Sequence, residues 1–290
     1  MKIFLILLFA VALVALIGCS SSEPEPTETP IPPTNTPLQP TVTLQPTNPP
    51  PTVAMPTLAL DQERLGELVI EAVRDDDPVK VKQLLESGAD PNVESSSGPI
   101  IVLAANSGNA NIVDLLAEHG ADIEAQNNSG VSPITEAARN GHIAVVELLL
   151  DRGVDVNVKD GSRSENTALV NAAVDNHLEV SQLLIDRGAD VNLSEANGWT
   201  PLHEAANQNS VDVISLLIAS GADIDLQSTA GFTPLHTAVA NNSVDAVRLL
   251  VDAGIELNLG DNTGQTPLAR AIFRGYEEVA RILREAGAKE

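Results

Sequence analysis

Seven glycines punctuate this chain at nearly constant spacing: Gly88, Gly120, Gly153, Gly188, Gly221, Gly254 and Gly287, separated by 32, 33, 35, 33, 33 and 33 residues. Each follows an apolar run such as Val-Ile-Ser-Leu-Leu ahead of Gly221. A period of this length marks a solenoid, in which no unit buries its apolar face alone and each does so against its neighbours. Function in such a chain belongs to a long surface and not to a single cleft.

Residues 198–258 show the internal grammar best: Gly-x-Thr-Pro-Leu-His, a paired Ala-Ala or Ala-Val, Val-x-x-Leu-Leu, then Gly-Ala-Asp. Thr200 and Thr233 suit the N-cap, and Pro201 and Pro234 the first helical position, where a missing N–H costs nothing. Ala205, Ala206 and Ala238 give that short helix a thin face, so the next copy can approach closely. A second helix places Val213, Leu216 and Leu217, and later Ala246, Leu249 and Leu250, at the i, i+3, i+4 spacing of one buried stripe. Gly221 and Gly254 then fall where a helix C-terminus needs a residue tolerant of the left-handed region.

These residues resemble ankyrin repeats. Thr-Pro-Leu-His stands intact at 200–203 and 233–236 and in degraded form at 266–269 and 132–135. Two copies depart: Gly98-Pro99-Ile100-Ile101 is one residue short, and 161–169 holds a two-residue insertion with Ala168 in place of proline. Both tips are expected to be irregular. The resemblance spans 61–290 and implies an all-α repeat solenoid of about seven helix-turn-helix units with β-hairpin loops. It also implies that His203 and His236 hydrogen-bond within and between repeats. The first unit opens on Asp61-Gln62-Glu63-Arg64 and the last ends with Arg281, Arg284, Glu285, Lys289 and Glu290, so both ends read as polar caps of a complete array.

What precedes the array bears on where it works. Residues 1–18, Met1-Lys2 and then an apolar run from Ile3 to Ile17, read as an export signal too short for an ordinary spanning helix. Leu16-Ile17-Gly18-Cys19 resembles the bacterial lipoprotein signal, which implies cleavage before Cys19 and attachment of diacylglycerol to its sulfur; the other reading is an ordinary signal or an uncleaved anchor with an incidental cysteine. Cys19 is the sole cysteine, so once acylated it leaves no thiol for a disulfide, a nucleophile or a metal. Residues 19–57 turn to Pro and Thr with almost no large apolar side chains, a composition that cannot form a core. They read as a stalk reaching on the order of 100 Å when fully extended. The repeat domain is then 58–290, held by lipid on the extracytoplasmic face of a cell membrane or outer envelope.

The formal net charge is −24, and apart from Lys2, Glu23, Glu25 and Glu28 every charged residue lies in the repeat domain. Nucleic-acid binding needs basic side chains that neutralise phosphates, and neither a basic stripe nor interleaved aromatics is present. An acidic excess suits a basic or cationic partner, though it also serves solubility alone.

Chemical constellations are few. Neither His203 nor His236 has an acid and a second histidine at ligand spacing, and His119, His142 and His177 fall at helix ends or turns with no assigned role. Asp75-Asp76-Asp77 lacks the glycine and terminal glutamate of a calcium loop and reads as a solvated turn. No phosphate loop, dinucleotide glycine pattern, His-Glu-x-x-His or Gly-x-Ser-x-Gly occurs, so no enzyme activity, metal or cofactor is expected.

Ankyrin proteins bind through hairpin tips and the concave end of the inner helix, and the positions free of stacking duty are candidates here. The strongest are Trp199, Phe232, Asn197, Asn207, Gln208, Thr229 and Asn241, with Ser194, Ala196, Gln227 and Ala240 beside them and Asn128, Val131, Arg139, Asn140, Lys159 and Arg163 in earlier units. Trp199 and Phe232 occupy equivalent tip positions in a chain with one Trp and four Phe. Either each ring folds over its own hairpin, or together they anchor a partner. The expected function is a monomeric, non-catalytic protein-binding or scaffolding module anchored to a membrane through Cys19. The alternative is capture of basic peptides, polyamines or divalent ions by an acidic concave face.

Overall fold

The computed structural model describes residues 61–290; the export signal, Cys19 and the Pro/Thr-rich segment lie outside the described residues. Fourteen helices follow one another there: α1 (Gln62–Arg74) and α2 (Pro78–Glu86), α3 (Ile100–Ser107) and α4 (Ala110–Glu118), α5 (Pro133–Arg139) and α6 (Ile143–Asp151), α7 (Ala168–Val174) and α8 (Leu178–Asp186), α9 (Pro201–Gln208) and α10 (Val211–Ala219), α11 (Pro234–Ala240) and α12 (Val244–Asp252), α13 (Pro267–Arg274) and α14 (Glu277–Glu285). They form seven successive pairs. Odd-numbered helices pack on odd-numbered neighbours and even on even, so each pair meets chiefly the one before and the one after. From α2 on, these helices are seven to nine residues long, too short to persist alone, and stacking holds them.

Local chemistry sets the ends. Thr200 and Thr233 sit in extended backbone ahead of Pro201 and Pro234, which begin α9 and α11. The seven periodic glycines all take left-handed φ values between 86° and 97°. The core is one continuous row in which Ala205, Ala206, Ala238, Leu202 and Leu235 are fully buried.

The buried stripe of the outer helices is rotated from its expected place. Val213, Ile214 and Leu217 are fully buried while Leu216 is half-buried, and Ala246, Val247 and Leu250 are buried while Leu249 is half-buried. Helix α10 packs on its own inner helix α9 and on both α8 and α12, which centres its buried arc on 213, 214 and 217. Leu216 falls about 60° outside that arc.

The loops between pairs are tight. A single backbone bond closes most of them: Asn127 N–H to Val131 O at 3.0 Å, Glu195 to Trp199 at 2.8 Å, Ser228 to Phe232 at 2.8 Å and Asp261 to Gln265 at 3.0 Å. The insertion near 161–169 widens its loop, whose closing bond runs from Asp160 N–H to Asn166 O. The shortened loop, expected to be irregular, instead carries the one strand pair among the described residues, β1 (Glu94–Ser95) with β2 (Gly98–Pro99).

Candidate functional site

The two Thr-Pro-Leu-His histidines lock the tips to the helices. Thr200 N–H donates to His203 Nδ1 at 3.1 Å, and His203 Nε2–H donates to the Phe232 carbonyl of the next tip at 2.8 Å. Thr233, His236 and the Gln265 carbonyl repeat this at 3.2 and 3.0 Å. One ring nitrogen accepts and the other donates, so both rings are neutral in this arrangement. Burial pushes the His203 imidazole down to about 4 and lowers that of His236 as well. The bonds within and between repeats are those the sequence implied.

Adjacent tips are stitched into a row. Backbone bonds run from Asn128 to Ser97, Gly161 to Gly130, Ala196 to Ser164, Thr229 to Asn197 and Asn262 to Ala230. The approach is so close that a Cβ on Gly198 would lie 2.7 Å from the Thr229 nitrogen. Several candidate residues are thereby committed. Thr229 Oγ1–H donates to Asn197 O at 2.6 Å, and Asn197 Oδ1 accepts from Trp199 N–H at 2.6 Å. Asn207 and Asn241 bond to each other across the repeat boundary, as Asn140 does to Asn106. Gln208, Ala196 and Gln227 are exposed.

Trp199 and Phe232 are both half-buried, and each stacks on the histidine of its own unit: Trp199 on His203 at 6.2 Å between ring centres and Phe232 on His236 at 5.8 Å. They differ in what else they meet. The Arg270 guanidinium lies 4.4 Å from the centre of the Phe232 ring, whereas no cation covers Trp199 among the described residues.

Arg270 exposes a pair of positions that recurs down the array. By repeat spacing, the tip position of Asp261 is filled in earlier units by Asn127, Asp160, Glu195 and Ser228, and the inner-helix position of Arg270 by Glu136, Asn171, Glu204 and Thr237. In the last repeat this is a buried ion pair, Arg270 Nη2 to Asp261 Oδ2 at 2.8 Å. Burial alone would raise the Asp261 carboxyl, but the Thr263 hydroxyl and N–H, the Gln265 N–H and Arg270 hold it down at about 2. In the fifth helix pair both positions are acids. Glu195 is 7% exposed, and Glu204, Asn197 and Asp160 are the groups that act on its carboxyl. Burial, then the Glu204 charge, push it up to about 8; burial also raises Glu204, which Glu195 and then the Asn207 amide partly offset. None of the ion pairs among the described residues reaches either glutamate.

Sequence reasoning missed this pair, because residues nine apart meet only through the tip geometry. Lining up the repeats by column would have shown Glu where Asn, Asp or Ser otherwise stands. It also left His142 and His177 unassigned, although their Nε2–H groups bond to the carbonyls of Asn106 and Arg139 in the preceding repeat, each at 2.9 Å. Asp77 caps α2 by accepting from Val79 and Lys80, and Asp76 accepts from Asn109, so the triple aspartate is turn chemistry. Phe273 on α13 is 81% exposed beside half-exposed Ile272, an apolar pair that no motif announced.

A family model described as ankyrin repeats (3 copies) matches residues 69–160, 161–228 and 216–290. No functionally curated protein matches the chain. Among solved structures, an ankyrin repeat domain from Acinetobacter baumannii is similar at 29% identity with a TM-score of 0.57, covering 65% of this chain and 98% of that one. A family model that spans most of the chain agrees with these helix pairs, and the chain belongs to the ankyrin-repeat family.

Proposed function

We propose that this protein is a non-catalytic protein-binding or scaffolding module, held by lipid at Cys19 and presented outside the cytoplasmic membrane, whose partner docks on the tip row around Trp199. The observation that carries the binding face is the row itself: bonds between successive tips fix the frame, and on it lie half-buried Trp199, one side of which rests on His203, and exposed Gln208. A half-buried aromatic on a rigid frame is a suitable interface anchor. Phe232 is the weaker anchor of the two, since Arg270 already covers it. The lipid anchor is supported by Gly18-Cys19 at the end of an uninterrupted apolar run and by the Pro/Thr-rich segment that follows.

Crosslinked capture from the native envelope tests the binding face. Trp199→Ala is expected to weaken capture about tenfold or more while the unfolding curve is unchanged. Lost stability with retained capture would make Trp199 a packing residue and overturn the reading. Cys19→Ala is expected to leave an unprocessed precursor that takes up no labelled fatty acid; normal cleavage of the variant, with no label on the natural chain, would remove the anchor.

A further inference from the structure

The shortened first tip opens a cavity. Gly198-Trp199-Thr200 and Gly231-Phe232-Thr233 each carry a ring between the glycine and the helix start, and Gly130-Val131-Ser132 carries a valine, whereas Gly98 runs straight into Pro99. In the last units Phe232, Arg270 and Asp261 meet: the guanidinium lies 4.4 Å from the ring centre and pairs with the carboxylate at 2.8 Å. Four units earlier the same three positions are the missing residue, Glu136 and Asn127. The gap is a cavity of about 210 Å³ whose lining includes Ser97, Pro99, Val102, Leu103, Asn127 and Glu136. Here the array omits the ring and puts an acid where the last unit has a cation.

The walls are held in place. The backbone and side-chain N–H groups of Asn128 donate to the carbonyls of Ser97 and Ser96 at 3.4 and 3.1 Å, and a Cβ on Gly98 would lie 2.8 Å from the Asn127 Cα. Glu136 is half-buried, and none of the ion pairs among the described residues reaches it. Arg139, one turn along α5, is exposed and does not close on it.

We infer that this cavity receives a lysine side chain of the partner protein. The inference rests on the reading of the array as a protein-binding module and adds to it a second contact, apart from Trp199. Sites that enclose a whole small-molecule ligand run to roughly 300–1,000 Å³, so a space of about 210 Å³ suits one long side chain. Pro99, Val102 and Leu103 give an apolar stem something to lie on, and the Glu136 carboxylate takes the ammonium at its end. Arginine suits it less, because a guanidinium gains most from an aromatic face, and that ring is the part left out. An incoming aromatic side chain would cover the half-buried carboxylate without giving it a cation. A calcium ion requires six to eight oxygens, and the lining holds one carboxylate. The net charge of −24 draws a basic segment toward the array.

Nuclear magnetic resonance of the full chain reads the site directly. The chain is titrated with a short peptide carrying one lysine, and with counterparts in which Nε-acetyl-lysine, arginine or tyrosine replaces it. The lysine peptide is expected to give saturable shifts at the amides of Leu103, Asn127 and Glu136 with the Trp199 indole unmoved, and each counterpart should bind more weakly. Glu136→Gln alters a carboxylate that makes no ion pair, so it keeps the fold and should weaken the lysine peptide about tenfold. Glu118→Gln, an equal charge change at the exposed end of α4, should leave binding as it is. No saturable shift at these amides, equal or tighter binding of any counterpart, or equal loss in the two variants would each overturn the inference. If partner capture falls in Trp199→Ala but not in Glu136→Gln, the protein-binding reading stands and the lysine assignment fails; if it falls in neither, both fail.

Discussion

The fifth and seventh helix pairs solve one local problem in opposite ways. Both place an acid at a buried tip position opposite the fourth residue of the inner helix. In the seventh that residue is Arg270, and Asp261 is held ionised by a guanidinium and by three local donor groups. In the fifth it is Glu204, and burial, then the Glu204 charge, push the Glu195 carboxyl up to about 8. The difference also reaches the loop: Asp261 Oδ1 accepts from the N–H groups of Thr263 and Gln265, closing its own turn, whereas Glu195 is a methylene longer and the corresponding Trp199 N–H turns to Asn197. A self-satisfied tip is structural. A tip with two acids and no cation has stability to give up.

The largest test asks whether the two tips are separate at all. Leu217 is fully buried beneath the fifth pair, and Leu217→Ala should cost about 3 kcal/mol through the cavity it leaves. Because contacts run chiefly to adjacent pairs, hydrogen exchange should speed up through α9–α12 and much less in α13 and α14. Uniform loss across the array would merge the two regions. Arg270→Gln comes next. It strands Asp261 at 3% side-chain exposure with its local donors only, and chemical denaturation should show a loss of about 2 kcal/mol. Little loss would mean that Arg270 serves Phe232 and not the acid.

Smaller effects distinguish the fifth tip through pH. Glu195 binds its proton more tightly folded than unfolded, so its contribution is complete below the ordinary carboxyl range and is lost as pH rises toward 8. His203 acts in the opposite sense: its folded value is depressed to about 4, so its contribution is present above about 6.5 and is lost as pH falls through 4. The difference between the wild-type and Glu195→Gln stability curves isolates the first, with Asp160, Glu204, Asn197 and Asn207 unchanged around it. It should change by about 1–2 kcal/mol between pH 5 and 8.5, less than the full shift because the proton is shared with half-buried Glu204. A flat difference would mean the pair is not coupled. Glu204→Arg, which installs the seventh pair's arrangement, should stabilise by about 1 kcal/mol at pH 8.

Much of this fold can be read from the residues because the repeat imposes one-dimensional rules. Thr-Pro starts, left-handed glycines and paired alanines are local devices, and His203 and His236 follow their motif. What escaped depends on rotation and on juxtaposition. Leu216 and Leu217 are adjacent leucines whose burial is decided by which three helices surround α10, and a spacing rule cannot rank them. Trp199 and Phe232 look equivalent by position and diverge through Arg270, which lies 38 residues beyond Phe232 in the chain. Thr229, Asn207 and Asn241 look free by position yet bond to neighbouring repeats.

The comparison rests on two carboxyl groups, and a carbon-13 carboxyl titration of the full chain measures both at once. Glu195 should titrate far above the ordinary carboxylate range, near 8, while Asp261 should remain ionised down to about 2. A Glu195 midpoint near 4.5 would contradict the account.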